Sequence, residues 1–199
     1  MARILFTCFG SLGDLFPYLA VAKVLQARGH DVAVGSTSLY APQIEAESIP
    51  FIHLRSGLDR YTSQESVRQF LERLFDPVQG GKAIAREMMV RIGETYLDTW
   101  EAASNVDVVV ANPLAYATPI VCRERGLPWL STVLAPMFFL STFDPPTMTA
   151  APWLSRLHRL SPALYRAMFG LLKRATLGWA KPLYQLCRDH QLPPPDGHP

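Results

Sequence analysis

Short apolar runs alternate with helical patterns along most of this chain. Ile4–Cys8, Val32–Val34 and Val106–Ala111 are almost continuously hydrophobic, as strands covered on both faces of a parallel sheet must be. Between the first two, Pro17–Arg28 carries Val21, Val24 and Leu25 at helical spacing, opens with proline in its first turn and closes at Gly29. The same logic predicts a brief helix over Pro42–Ser48 and a third strand over Phe51–Leu54. Longer helices follow over Ser63–Phe75 and Lys82–Ala103, on either side of a Pro/Gly break at Asp76–Gly81. Ala115–Arg125 reads as a further helix that stops at Gly126-Leu127-Pro128, and Trp129–Leu134 as a further strand. Strand–helix alternation of this kind implies an α/β fold with a doubly wound parallel sheet flanked by helices.

After the last strand the pattern loosens. Ala135–Pro152 holds Pro136, Pro145, Pro146 and Pro152 without a clear period, and long loops in compact domains tend to carry function. Trp153–His190 is helical in one or two pieces, broken near Ser161-Pro162. Its cations Arg156, Arg159, Arg166, Lys173, Arg174, Lys181 and Arg188 face one acid, Asp189, while Leu160, Leu164, Met168, Leu171, Ala175 and Trp179 form an apolar stripe. Such a face is either a solvated exterior or a surface for anionic lipid. Leu192–Pro199 has the composition of a linker.

Composition narrows the classes. With 199 residues, 49% hydrophobic and 18% charged, the chain holds one α/β domain with a proper core. A net charge of +2 and the lack of an aromatic-rich basic motif argue against nucleic acid. Cys8, Cys122 and Cys187 lie far apart in apolar segments with no metal-ligand spacing, so no metal site and a reducing compartment are expected. No run reaches roughly 18 apolar residues, and the expected location is the cytoplasm, with a peripheral place at the inner membrane face if the basic segment meets lipid.

The richest chemistry lies between the first strand and the first helix, in Phe9-Gly10-Ser11-Leu12-Gly13-Asp14-Leu15-Phe16-Pro17. Loops there sit at the carboxyl end of the sheet, where ligands bind, and a helix N-terminus offers free amides to an anion. A nicotinamide dinucleotide site is disfavoured, because Gly10 and Gly13 fall short of the three-glycine fingerprint and the second strand ends in Gly35-Ser36-Thr37 with no acid for a ribose.

Gly10–Pro17, Leu19-Ala20-Val21-Ala22, Leu25 and Gly29-His30-Asp31-Val32 together resemble the opening of GT-B glycosyltransferases of the sterol, antibiotic and rhamnolipid type (families 1 and 28). A second block, Asp107–Leu114, then Gly126-Leu127-Pro128-Trp129, Val133-Leu134-Ala135-Pro136 and Ser141–Pro146, is similar to the fourth and fifth strands and acceptor loop of the same enzymes. The resemblance implies the N-terminal Rossmann-like half, residues 1–190, with a sheet of about seven strands. Residues 191–199 would begin the linker to a donor-binding half that the chain lacks, which would leave the fragment inactive alone.

The implied reaction is inverting, metal-independent transfer of a hexose from a nucleoside-diphosphate sugar, UDP-glucose or a TDP-sugar, to a hydroxyl of a lipid-like or natural-product acceptor. No cofactor is implied beyond that co-substrate. Asp14 matches the position held by a histidine base in plant relatives, and the aspartate that orients that histidine is matched approximately by Asn112. A neutral asparagine cannot support an imidazolium, but a carboxylate base needs no such partner. Asp14 is thus the candidate base, with capping of its own helix as the competing reading. Ser11, Leu12 and Gly13 are candidate donor-phosphate contacts. Asn112, Tyr116, Pro136, Met137 and Phe138 are candidate acceptor contacts. The alternative outside catalysis is a Rossmann-like binding module without a base. His30 is expected to bond the carbonyls of the helix it follows, and His53 has no evident partner.

Overall fold

The structure, a computed structural model, describes residues 1–76, 79–135, 141, 153, 157–158 and 161–193. Five strands, β1 (Arg3–Thr7), β2 (Asp31–Ser36), β3 (Phe51–His53), β4 (Val108–Ala111) and β5 (Trp129–Ser131), form one sheet in the order β3-β2-β1-β4-β5. Every neighbouring pair is parallel, with Ile4 opposite both Val32 and Val108. Among the described residues the sheet has five strands, against the seven or so expected.

Because side chains alternate across a strand, β1 feeds two cores. Ile4, Phe6 and Cys8 face one side with Val32 and Val34, where they meet Leu15, Tyr18, Leu19 and Ala22 of α1 (Leu12–Ala27) and Ile44 of α2 (Ala41–Ala46). Leu5 and Val109 face the other side, under Ile92 and Tyr96 of α5 (Ile92–Ala102), Ile120 and Val121 of α6 (Thr118–Arg125), and Leu183 and Cys187 of α8 (Lys181–Asp189). A third cluster, with Phe9, Leu54, Tyr61, Phe70 and Ala115, joins the carboxyl end of the sheet to α3 (Gln64–Leu74) and α4 (Gly80–Met89). Each fully buried Leu or Phe contributes roughly 1.5–3 kcal/mol by leaving water, so the two-sided packing of the sheet dominates stability.

The helices depart from expectation where local signals mislead. α1 begins at Leu12, five residues before Pro17, and that proline lies inside it rather than in its first turn. Proline has no N–H to give, so the Gly13 carbonyl loses its helical donor just where the helix meets the candidate site. The face α1 buries is Leu15, Tyr18, Leu19 and Ala22, not the Val21 and Val24 picked out by sequence, each 51% exposed. The expected helix Lys82–Ala103 is two helices, α4 and α5, separated at Val90–Arg91. α6 stops at Gly126, whose φ of +65° supplies the left-handed cap that few side chains tolerate.

The long C-terminal segment breaks where Ser161-Pro162 predicted. Ser161 accepts a hydrogen bond from the Leu164 amide at 3.3 Å and caps α7 (Pro162–Thr176), and a 3-10 turn (Leu177–Ala180) leads into α8. α8 is fastened to the domain: Tyr96 donates to Glu124 at 2.5 Å and meets His190 at 3.1 Å, tying α5, α6 and the end of α8 together. The remaining expectations for Ala135–Leu160 lie almost wholly outside the described residues.

Candidate functional site

With the order β3-β2-β1-β4-β5, successive connections leave β1 in opposite directions, toward β2 on one side and β4 on the other. The crevice at the carboxyl ends of β1 and β4 is therefore the place where an open α/β sheet exposes a ligand site. The Gly10–Asp14 loop leaves β1 there, and Asn112 ends β4 beside it.

Asn112 is 3% exposed and its amide is fully engaged. Its Nδ2 donates to the Phe9 carbonyl, and its Oδ1 accepts from the Phe9 amide at 3.4 Å. An aspartate here could accept from the amide but would set a charge against the carbonyl, so an asparagine is what the joint requires. This clamp bonds the two sides of the crevice directly. Tyr40 Oη donates to the Gly10 carbonyl at 2.6 Å, Ser36 Oγ to the Cys8 carbonyl at 2.6 Å, and Tyr18 Oη shares a hydrogen bond with Thr132 Oγ1. The loop is thereby held from β2 and the 3-10 turn that follows it (Ser38–Tyr40), while α1 is tied to the segment after β5. These supports carry no sequence signal, because each joins residues from separate parts of the chain that only the sheet order brings together.

Asp14 is turned toward the cap of its own helix. Its Oδ2 accepts from the Ser11 amide at 2.7 Å and from Ser11 Oγ at 2.8 Å, the reaching-back half of a capping box. Its Oδ1 has no hydrogen-bond partner among the described residues, and the residue is half-buried. Gly10 makes this possible: its φ is +124°, and a Cβ there would collide with Asp14 Oδ2. Ser11, Leu12 and Gly13 are exposed at the first turn of α1, whose leading amides have no helical acceptor.

Charge at this edge acts on its neighbours. Burial, and secondarily the negative charge of Asp14, push the Cys8 thiol well above its usual range. Burial pushes the Tyr40 hydroxyl up to about 12 and does the same for Tyr18, against the bond to Thr132. These groups are held neutral and serve as donors or packing.

The other candidates divide. Tyr116 lies partly buried against two of the core clusters, and burial raises its hydroxyl. Pro136, Met137 and Phe138 lie outside the described residues. His30 bonds the Leu25 carbonyl through its backbone amide, as expected of a helix end, but its ring Nδ1 accepts from the Ala2 amide at 3.3 Å. His53 does have a partner, Asp59 Oδ1 at 3.2 Å.

Residues 4–143 match the model of the glycosyltransferase family 28 N-terminal domain. Among curated proteins, the chain is 28% identical over 203 residues to O-mycaminosyltylonolide 6-deoxyallosyltransferase of Streptomyces fradiae, covering 98% of this chain and 45% of that protein. It is 25% identical over 127 residues to a sterol 3-beta-glucosyltransferase of Komagataella phaffii, covering 64% of this chain and 10% of that protein. The chain thus spans less than half the length of these relatives. Among solved structures, the glycosyltransferase SsfS6 of Streptomyces sp. SF2575, complexed with thymidine diphosphate, superposes with a TM-score of 0.51 at 19% identity, over 79% of this chain and 43% of that one. That likeness establishes the fold, the Rossmann-like sheet expected from the sequence.

Proposed function

Since the chain belongs to glycosyltransferase family 28 and carries its N-terminal domain, we propose that it is the acceptor-side half of an inverting, metal-independent transferase. The complete two-domain enzyme would move a hexose from a nucleoside-diphosphate sugar to a hydroxyl of a lipid-like or natural-product acceptor. The observation that carries the reading is the crevice between β1 and β4, where the exposed first turn of α1 and the free Oδ1 of Asp14 stand together. Asp14 would take the acceptor proton through Oδ1 while Ser11 holds Oδ2. The amides of Leu12 and Gly13 would meet the donor diphosphate at the positive end of the α1 dipole.

The donor is a TDP-sugar or UDP-glucose. The thymidine diphosphate bound by the structural neighbour supports the first, and the sterol glucosyltransferase relative supports glucose as the sugar of the second. Asn112, Tyr116 and the segment Pro136–Phe138 would border the acceptor. Asn112 does so as a clamp, since both its amide groups are spent on Phe9. Residues 1–190 form the domain and 191–199 begin a linker, with a donor-binding half as the required partner. The expected location is the cytoplasm, with a peripheral place at the inner face of the membrane only if the basic C-terminal helices meet anionic lipid. Among the described residues no helix is long and apolar enough to cross a membrane.

A second reading is favoured by the same carboxylate: both of its hydrogen bonds serve its own helix, as in a binding module without a base. Asp14→Asn in the complete two-domain enzyme separates them. Asparagine keeps an oxygen to accept from Ser11 but has no basicity, so an essential base predicts kcat lower by about 10²–10⁴ with acceptor affinity nearly kept. Turnover equal to wild type assigns Asp14 to the cap alone.

A further inference from the structure

We propose that the open cleft between the 3-10 turn Gly57–Arg60 and helices α3 and α4 is a binding site for a soluble phosphate-bearing molecule. This site is separate from the loop at the end of β1. The cleft has a volume of about 630 Å³, and Arg60, Arg73, Lys82 and Arg86 line it together with Gln79 and Glu87. No residue of the Gly10–Asp14 loop or of the turn after β4 reaches it.

Its charge is unbalanced. Glu87 is buried beneath the cations, and its Oε1 accepts from Arg60 Nη2 and, at 3.0 Å, from Tyr61 Oη. Glu87 is thereby paired with Arg60 through Oε1, while its buried Oε2 has no hydrogen-bond partner among the described residues. Among the described residues Arg73 has only the Gln69 carbonyl, 3.2 Å from its Nε, which leaves its terminal nitrogens for a ligand. Lys82 and Arg86 make no ion pair among the described residues. They sit four apart on α4, an arrangement of like charges that costs a helix a few tenths of a kcal/mol. On the same α3 that supplies Arg73, Arg68 points elsewhere and is flanked by Glu65 at 2.7 Å and Glu72 at 2.6 Å. Arg68, which points away from the cleft, is thus compensated, whereas Arg73, Lys82 and Arg86 make no ion pair among the described residues.

Three uncompensated cations with many N–H donors suit an oxyanion of more than one charge. A carboxylate would satisfy a single guanidinium. A phosphate ester or diphosphate would engage Arg73, Lys82 and Arg86 at once and relieve their repulsion, with the Gln79 amide as a neutral donor. This site does not depend on the transferase reading, since it is tested by binding to the chain itself.

The test is calorimetric titration of inorganic pyrophosphate into the 199-residue chain at low salt, where screening is weak. One site is expected, and Lys82→Ala/Arg86→Ala should weaken it by at least about tenfold, the loss of two charge-assisted contacts. A charge-matched control, Arg28→Ala/Lys181→Ala, should change affinity by less than about twofold. All four side chains are exposed, so both variants should keep the fold, and matched thermal melts verify it. No binding to the wild-type chain overturns the proposal. So does an equal loss in both variants, which would mean attraction to net charge, or a loss confined to Gly13→Asp, which would move the site to the start of α1.

Discussion

Gly10 and Asn112 set the local geometry from which everything at the β1 edge follows. A left-handed glycine lets the chain turn so that Asp14 can reach back to Ser11, and a Cβ would occupy the space its carboxylate takes. Asn112 then fixes the turn to β4 by satisfying both polar groups of the Phe9 peptide. Removing that amide leaves a buried N–H and C=O unpaired, at a cost of roughly 1–3 kcal/mol for each group. Asn112→Ala should therefore lower unfolding stability by about 2–4 kcal/mol in urea titrations without altering the m-value. A loss under about 0.5 kcal/mol would show that the clamp is not structural. The sequence marked Asn112 as a departure from a catalytic aspartate, but not its partner, because the two residues meet only once β1 and β4 pair.

At the scale of elements, the sequence disclosed those whose signals are local and obscured those decided by packing. The buried strands β1, β2 and β4 and the cap at Ser161 stand out because apolar runs and proline–serine punctuation are read within a few residues. The buried face of α1 was read only in part, with Leu25 packed against the core but Val21 and Val24 exposed, because the helix is apolar nearly all round. Val21 and Val24 fit the helical period as well as Tyr18 and Ala22 do, and only the position of the sheet chooses between them. The break between α4 and α5 likewise lacks a Gly or Pro signal at Val90–Arg91.

One joint between elements is electrostatic. Asp59, in the turn after β3, accepts from Thr37 Oγ1 at 2.6 Å, the Ser38 amide and hydroxyl at 3.0 Å each, and the Ser56 amide at 2.8 Å, with His53 and Arg91 nearby. Burial alone would raise its carboxyl, but those hydrogen bonds outweigh it and hold the group below the usual carboxylate range. A folded pKa below the unfolded one means the joint stabilises fully above the unfolded value, near 4, and fails as pH falls through the lower folded value. The stability gap between wild type and Asp59→Asn should thus be widest near pH 6–7 and narrow steadily below about pH 4. Thermal melts from pH 7 to about pH 2 measure it, and a gap that does not change with pH would refute the ionic role.

Two properties belong to the molecule as a whole. On α7, Leu164 and Leu171 are 50% and 63% exposed, Arg166 and Arg174 are exposed beside them, and the helix contains no acid. If that surface meets a membrane, sedimentation with vesicles rich in anionic phospholipid should pull the chain down at low salt and release it at about 0.5 M salt, where screening is nearly complete. Equal recovery in neutral and anionic vesicles, or none in either, would mark the surface as a solvated exterior.

The second property concerns catalysis. The chain spans 45% of its Streptomyces fradiae relative and 43% of the SsfS6 chain. Transfer needs the sugar's anomeric carbon held within about 3.5 Å of the acceptor oxygen, and holding two reactants so can supply roughly 7–11 kcal/mol of the barrier. A single wall cannot hold both. Incubated alone with UDP-glucose or a TDP-sugar and a panel of hydroxylated acceptors, the 199-residue chain should release nucleoside diphosphate no faster than buffer does. Turnover above that background by the chain alone would mean that the β1–β4 crevice binds donor and acceptor together, and that the two-domain requirement proposed for it is wrong.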